Sequence, residues 1–230
     1  MALFAQTVAP VLVIAPHPDD EVLGCGGTIA RLGDAGQEVH VAIVTRGRLP
    51  RFDEQAVAGV RSEAEMAHAL LGVKRTHYLD LPAAELDTVP HADVNAAMSK
   101  LFAEVRPATL FVPFVGDIHL DHQIVFRSAL VAARPRDDSY PPLIYAYETL
   151  SETNWAAPYL DPGFIPNVFV DIAGTLERKI AAFGAFASQV RTFPDERSPE
   201  AIRALATLRG ATVHCRAAEA FVLVREVMRP

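Results

Sequence analysis

Short, uninterrupted apolar runs alternate with stretches of about a dozen amphipathic residues along most of this chain. Val11-Leu12-Val13-Ile14 is β-branched and continuous, the pattern of a strand buried on both faces, and the residues from Glu21 to about Ala35 then read as a helix that closes near Gly36. The same alternation continues with a strand over Val39 to Thr45, a helix over Arg61 to Leu71 ending at Gly72, and a strand over Thr76 to Leu79. A helix over Asp93 to Val105, with Asp93 at its start, a strand over Thr109 to Pro113 and a helix over Gln123 to Ala132 follow. Strands separated by helices imply βαβ crossovers, and the pattern therefore predicts an α/β fold with a mainly parallel sheet in three layers.

The last third is less regular. Leu143 to Tyr147, Val168 to Ile172 and Ala220 to Arg225 are expected as strands, and Leu176 to Ala187 and Pro199 to Leu208 as helices, with a turn at Phe193-Pro194-Asp195. Between the first two of these strands lies a long segment with Trp155, Tyr159, Pro158, Pro162 and Pro166. Loops of that length in compact domains are usually functional, so it is expected to wall a substrate pocket. No internal repeat, low-complexity segment or linker interrupts the 230 residues, which are expected to form one domain.

Composition narrows the function. Half the residues are hydrophobic, enough for a sizeable core, and the net charge of -7 with no basic cluster argues against nucleic-acid or anionic-membrane binding. No apolar run reaches the roughly 18 residues a membrane span needs. The segment MALFAQTVAP has no basic region of the kind that opens a signal peptide, so a cytoplasmic location is expected. Cys25 and Cys215 form no CxxC pair, which fits a reduced compartment, and Cys25 is expected as a small core residue. The small residues Gly24-Cys25-Gly26-Gly27 let the first helix approach the sheet or a ligand closely, but they lack the GxGxxG spacing of a dinucleotide site.

Two polar clusters carry the candidate chemistry. Pro16-His17-Pro18-Asp19-Asp20-Glu21 follows the first strand directly, at the sheet edge where open parallel α/β folds bind ligands. His and Asp are ordinary zinc ligands, and a spare carboxylate beside a metal can act as a general base. The same carboxylates also suit a helix N-terminus, where they meet free backbone donors and the macrodipole. Asp117-Ile118-His119-Leu120-Asp121-His122 follows the fourth strand, and its two histidines, spaced by three, can converge on one point. Together the clusters supply three N/O ligands for a catalytic metal and leave groups over for acid–base work. Arg46 and Arg48, in the loop after the second strand, fall on the same edge. Arg61 and Glu65, at i and i+4, have the spacing of a surface ion pair, and the isolated His40, His68, His77 and His91 are expected to be structural.

The two clusters resemble the signature of the LmbE/PIG-L family of zinc-dependent N-deacetylases. The resemblance continues through Thr45-Arg46-Gly47, Leu71-Gly72-Val73, Arg197-Ser198-Pro199 and Ala218-Glu219-Ala220-Phe221. It implies a Rossmann-like sandwich in which a metal, Zn²⁺ or another divalent cation, takes the place of the dinucleotide. By this resemblance His17, Asp20 and His122 are the metal ligands and Asp19 is the catalytic carboxylate. His119 stabilises or protonates the reacting groups, and Asp121 orients an imidazole. The implied substrate is a small N-acetylated molecule, an amino sugar such as N-acetylglucosamine or its conjugate, which loses acetate. Arg46, Arg61 and Glu148 are the candidate substrate contacts, with Arg61 and Glu63 matching an Arg and a Glu near a helix start; Trp155 is placed either to stack on a sugar or to pack its loop down. Family members often form homo-oligomers, and nothing in this sequence specifies a symmetric interface.

Two other readings compete. The run Asp117-x-His119-x-Asp121-His122 is close to the HxHxDH pattern of metallo-β-lactamase-like hydrolases of esters or amides, but Asp117 replaces its first histidine and the His17 turn has no place there. A non-catalytic sugar-binding α/β module with a structural metal would fill four positions, usually with cysteine, and neither cluster contains one.

Overall fold

A computed structural model describes residues 9–228. The expectation of no leader peptide falls largely outside that range. In chain order the elements are β1 (Val11–Ala15), α1 (Asp20–Asp34), β2 (Val39–Arg46), α2 (Glu54–Leu71), β3 (Arg75–Pro82), α3 (His91–Val105) and β4 (Thr109–Pro113). They continue with α4 (Leu120–Ala132), β5 (Leu143–Tyr147), β6 (Val168–Asp171), α5 (Leu176–Gly184), α6 (Pro199–Thr212) and β7 (Ala218–Glu226).

The strands form one sheet in the order β3-β2-β1-β4-β5-β7-β6. The first five in sequence pair in parallel, while β7 runs antiparallel between β5 and β6. β1 lies inside the sheet between β2 and β4, covered on both faces, and its continuous apolar run follows from that position. Val11, Val13 and Ala15 pack into one core with Ile29 of α1, Ala67 of α2, Phe183 of α5 and Ile202 of α6. Leu12 and Ile14 pack into a second core with Met98 of α3 and Val125 and Ala129 of α4. The result is the expected three-layer α/β sandwich. Among the described residues no helix is long and apolar enough to cross a membrane.

Several boundaries differ from the sequence reading. α2 starts at Glu54 rather than Arg61, because the Asp53 side chain caps it by accepting from the N–H groups of Gln55 and Ala56. Its first turns face a cavity instead of the core, so the apolar periodicity there is weak. α4 starts at Leu120 rather than Gln123: His119 is its N-cap and accepts the Asp121 N–H on Nδ1 at 3.1 Å. β7 begins at Ala218, two residues before the expected strand, and α5 stops at Gly184, three residues early.

The small residues of α1 allow close approach. A Cβ on Gly24 would lie 2.2 Å from the Tyr147 ring, and one on Gly27 would lie 2.8 Å from Ile172. Tyr147 is itself held by donating to the Ile14 carbonyl at 2.8 Å. From the far side, the Glu219 carboxylate accepts the Gly27 and Thr28 N–H groups, and buried Lys179 donates to both Glu219 and the Leu23 carbonyl. Cys25 is buried in this region, and both cysteines are free thiols.

These contacts predict opposite outcomes for two glycine-to-alanine changes. Gly24→Ala must displace the fully buried Tyr147 ring and is expected to lower stability by about 1–3 kcal/mol. Gly59→Ala in α2 meets open space and is expected to raise it by about 0.5–1 kcal/mol through helix propensity. Denaturant unfolding of the two variants checks both signs.

Candidate active site

β1 sits between β2 and β4, the point where the strand order reverses direction, and ligands in open α/β sheets bind beyond the strand C-termini at such a point. Both polar clusters leave the sheet there. The turn after β1 is fixed by Thr45, whose N–H and hydroxyl both donate to the Pro16 carbonyl, at 3.0 and 2.7 Å. Beneath it, the fully buried Glu21 carboxylate accepts the Asp19 N–H at 3.2 Å and bonds His68 Nε2 at 3.0 Å. His68 Nδ1 reaches the Thr76 hydroxyl at 2.7 Å. The other isolated histidines are likewise satisfied: His40 bonds His77 and Glu38, and His91 bonds Ser128.

Asp20 Oδ2 closes the turn by accepting the His17 N–H at 2.8 Å. The same oxygen lies 3.3 Å from His17 Nδ1 and 3.2 Å from His122 Nε2. Each imidazole is backed by a carboxylate on its other nitrogen, His17 Nε2 by Asp121 at 3.0 Å and His122 Nδ1 by Asp117 at 2.8 Å. A carboxylate only accepts, so those outer nitrogens carry protons. The remaining nitrogens face Asp20, the outer-shell arrangement that orients metal-ligating histidines.

Two groups of three side chains bring ligand atoms within 4.8 Å of one another: His17, Asp20 and His122, and His17, His119 and Asp121. The second is saturated by protein, because Asp121 accepts the Ala84 and Leu86 N–H groups as well as His17, and His119 Nδ1 is used as a helix cap. In the first, Asp20 Oδ1 and His122 Nε2 are buried and make no hydrogen bond among the described residues, although Nε2 lies 3.2 Å from Asp20 Oδ2. Buried polar atoms without a hydrogen bond, in an N/O donor set with room for further ligands, fit a divalent cation.

Electrostatics point the same way. Burial opposes charge on His17, but its bonds to Asp121 and Asp20 outweigh this and push its pKa up to about 9. Burial also opposes charge on His122, and Asp20 and Asp117 push it up to about 10. Asp20 is held well below the usual carboxylate range, the cationic His122 and His17 overcoming the cost of burial. The carboxylates around these two imidazoles favour positive charge between them.

Asp19 is set apart from the candidate ligands. Its φ of 114° lies in the left-handed region, and its side chain makes no cap bond to α1, contrary to the helix-terminus reading. The carboxylate instead meets Arg197 Nη1 at 3.1 Å. Burial raises its pKa well above the usual value, although Arg197 works in the opposite direction. Arg197 is in turn fixed by Ser151 at 3.0 Å and Gln189 at 2.8 Å.

Asp19, His17, His119, Arg197 and Glu152 line a cavity of about 410 Å³. Arg46 and Arg61, proposed from sequence, line its outer part. Arg61 makes no ion pair with Glu65: it stacks 3.7 Å over the Tyr78 ring and lies 3.7 Å from Asp80, while Glu65 accepts the Tyr78 hydroxyl. Glu63 lies within α2 rather than near its start, and accepts from the Ser188 N–H and hydroxyl. Glu148 does not take the expected place. Its carboxylate is taken by Arg209 of α6, at 2.8 and 2.6 Å, and does not line this cavity. Trp155 is 64% exposed, donates to Glu196 and neither packs its loop down nor reaches the cavity, so the long loop contributes Glu152 instead. Asp117, Arg197 and Glu152 were given no role from sequence. Arg197 lies within a segment that carries the family resemblance, whereas no local pattern marks Glu152.

The family model described as GlcNAc-PI de-N-acetylase, PIG-L, matches residues 12–133, which include both clusters. The diacetylchitobiose deacetylase of Thermococcus kodakarensis is 30% identical over 82% of this chain and 72% of its own length. The 2'-N-acetylparomamine deacetylase of Streptomyces fradiae is 28% identical over 77% of this chain and 72% of its own length. The solved N,N'-diacetylchitobiose deacetylase of Pyrococcus horikoshii superposes with a TM-score of 0.74 at 27% identity, covering 94% of this chain and 83% of that one.

The raised histidine pKa values have a measurable consequence. Both imidazoles must give up a proton to ligate, so a divalent cation binding at pH 7 is expected to release about two protons and to bind more weakly as pH falls. Calorimetry in buffers of different ionisation enthalpy counts them; release of none would contradict the assignment of His17 and His122.

Proposed function

The chain belongs to the PIG-L family, and on that premise we propose that it hydrolyses the amide of an N-acetylated amino sugar or its conjugate, releasing acetate and the free amine. One observation carries the proposal: Asp20 Oδ1 and His122 Nε2, buried without a hydrogen bond, stand at the same sheet edge as a separately held carboxylate, Asp19. The reading is supported by the names of the relatives, which are deacetylases of acetylated amino sugars.

In this proposal His17, Asp20 and His122 hold a divalent cation such as zinc. When bound, that cation supplies a Lewis acid that acidifies water and polarises the acetyl carbonyl. The chain's own residues supply the rest. Asp19 takes a proton from water as its oxygen adds to the acetyl carbon, and burial makes Asp19 a stronger base than an exposed carboxylate. Arg197 keeps that carboxylate aimed.

His119 is a donor. Its Nδ1 accepts the Asp121 N–H, so its proton sits on Nε2, and burial together with its histidine neighbours lowers its pKa and keeps it neutral. A neutral imidazole N–H stabilises a developing oxyanion but is a weak acid. Asp19 therefore returns the proton it took to the leaving nitrogen as the C–N bond breaks, which leaves acetate and amine. Asp121 and Asp117 act through the imidazoles they orient, His17 and His122.

This division of labour separates two variants. Asp19→Asn is expected to keep its cation and lose about 10²–10⁴-fold in kcat, the usual worth of a general base. His122→Ala is expected to lose both cation and activity. Metal analysis beside the rate assay checks this, and an Asp19→Asn protein purified without cation would overturn the separation of roles.

A further inference from the structure

Nearly every polar side chain of the cavity is committed to another part of the protein. Ser188 donates to Glu63 at 2.6 Å, Gln189 accepts from Arg197 at 2.8 Å, and Tyr78 donates to Glu65 at 2.7 Å. Arg197 holds Asp19, and Arg61 rests on Tyr78 beside Asp80. Arg46, which is exposed, and Glu152 are the exceptions, and of the two only Glu152 is withdrawn from solvent. Its side chain is half-buried and lines the cavity with Asp19, His119 and Arg197, yet among the described residues no hydrogen bond or ion pair engages its carboxyl. Nor does it belong to either group of candidate metal ligands.

The backbone beneath that carboxyl is fixed firmly to the site. The Glu152 N–H donates to the Thr149 carbonyl at 3.1 Å, and its own carbonyl accepts the Ile118 N–H at 3.3 Å. Its neighbour Thr153 donates to Asp117 at 2.6 Å, the carboxylate that orients His122. Burial raises the Glu152 pKa to about 7. A carboxyl withdrawn from water and given no partner is destabilising, and a ligand group arriving in the cavity would supply what the protein withholds.

We propose that Glu152 is a substrate-binding residue whose carboxyl hydrogen-bonds a hydroxyl of the sugar that carries the N-acetyl group. The nature of the ligand rests on the deacetylase reading above; the unpartnered carboxyl does not. A hydroxyl suits the position because it both donates and accepts, and so pairs with the carboxyl in either protonation state. Glu152 thereby selects the sugar, while Asp19 and His119 act on its amide.

The test uses N-acetylated amino sugars in which one hydroxyl at a time is replaced by hydrogen, assayed with cation-loaded wild type, Glu152→Ala and Glu152→Gln. Wild type is expected to lose about 10–100-fold in kcat/KM on one deoxy sugar, the worth of a hydrogen bond to a charged group. Glu152→Ala brings the parent sugar down by the same factor, mainly through KM, and leaves that deoxy sugar where wild type has it. Glu152→Gln, isosteric and still able to bond a hydroxyl, recovers part of the loss. Glu152→Ala that leaves the parent KM and the deoxy penalty unchanged overturns the proposal. Should wild type release acetate from none of the sugars, the deacetylase reading fails, and calorimetric binding of the same sugars still decides the role of Glu152. Weaker binding both to Glu152→Ala and of one deoxy sugar supports it; equal binding, or none, overturns it.

Discussion

Two strand ends meet at a single carboxylate oxygen, Asp20 Oδ2, and the site depends on that meeting. It accepts the His17 N–H and so closes the turn after β1, while His122, carried on α4 after β4, brings its Nε2 to 3.2 Å from the same atom. β1 and β4 are neighbours in the sheet although 93 residues lie between the last of one and the first of the other, Ala15 and Thr109. The crossover through β2 and β3 is what brings the two clusters to one edge. Several charged groups are buried here, each at a cost of several kcal/mol when unpaired. Outer bonds from Asp117 and Asp121 offset part of that cost, and Asp20 Oδ1, buried without a hydrogen bond, marks where a cation would offset more.

The supports of this pocket extend well beyond it. Glu21 joins the turn to His68 and Thr76, and Thr45 anchors the Pro16 carbonyl, so β2, α2 and β3 all bear on where His17 lies. On the other side, the Lys179–Glu219 pair and the Tyr147 ring hold α1 against β7 and β5. Asp19 occupies a backbone conformation that costs about 1–3 kcal/mol in a non-glycine residue, and this strain turns its carboxylate toward Arg197 and the cavity. Rigid supports of this kind would keep a bound cation and the proposed base, Asp19, in register without rearrangement.

Much of this was legible from residue pattern alone. β1 and β4 could be read because buried central strands leave continuous apolar runs, and the clusters stood out because histidines and carboxylates are concentrated directly after those runs. The start of α2 was hidden because its first turns face a cavity and carry no core stripe. The antiparallel placement of β7 has no signature in its own apolar pattern. Glu148 departs from its expected role for a related reason: its place at the end of β5 points to the ligand edge, but the direction of its side chain is decided by Arg209, some sixty residues later. Arg197 and Glu152 join the site through tertiary contacts alone, so no local spacing could assign their roles.

The most direct test of the account is acetate release from N-acetylglucosamine, its oligomers and its conjugates by enzyme of known metal content. The account predicts release that disappears on chelation and returns when Zn²⁺ or another divalent cation is added back in proportion to one ion per chain. Full-rate release from metal-free protein, or none from any N-acetylated sugar by the loaded enzyme, would contradict it.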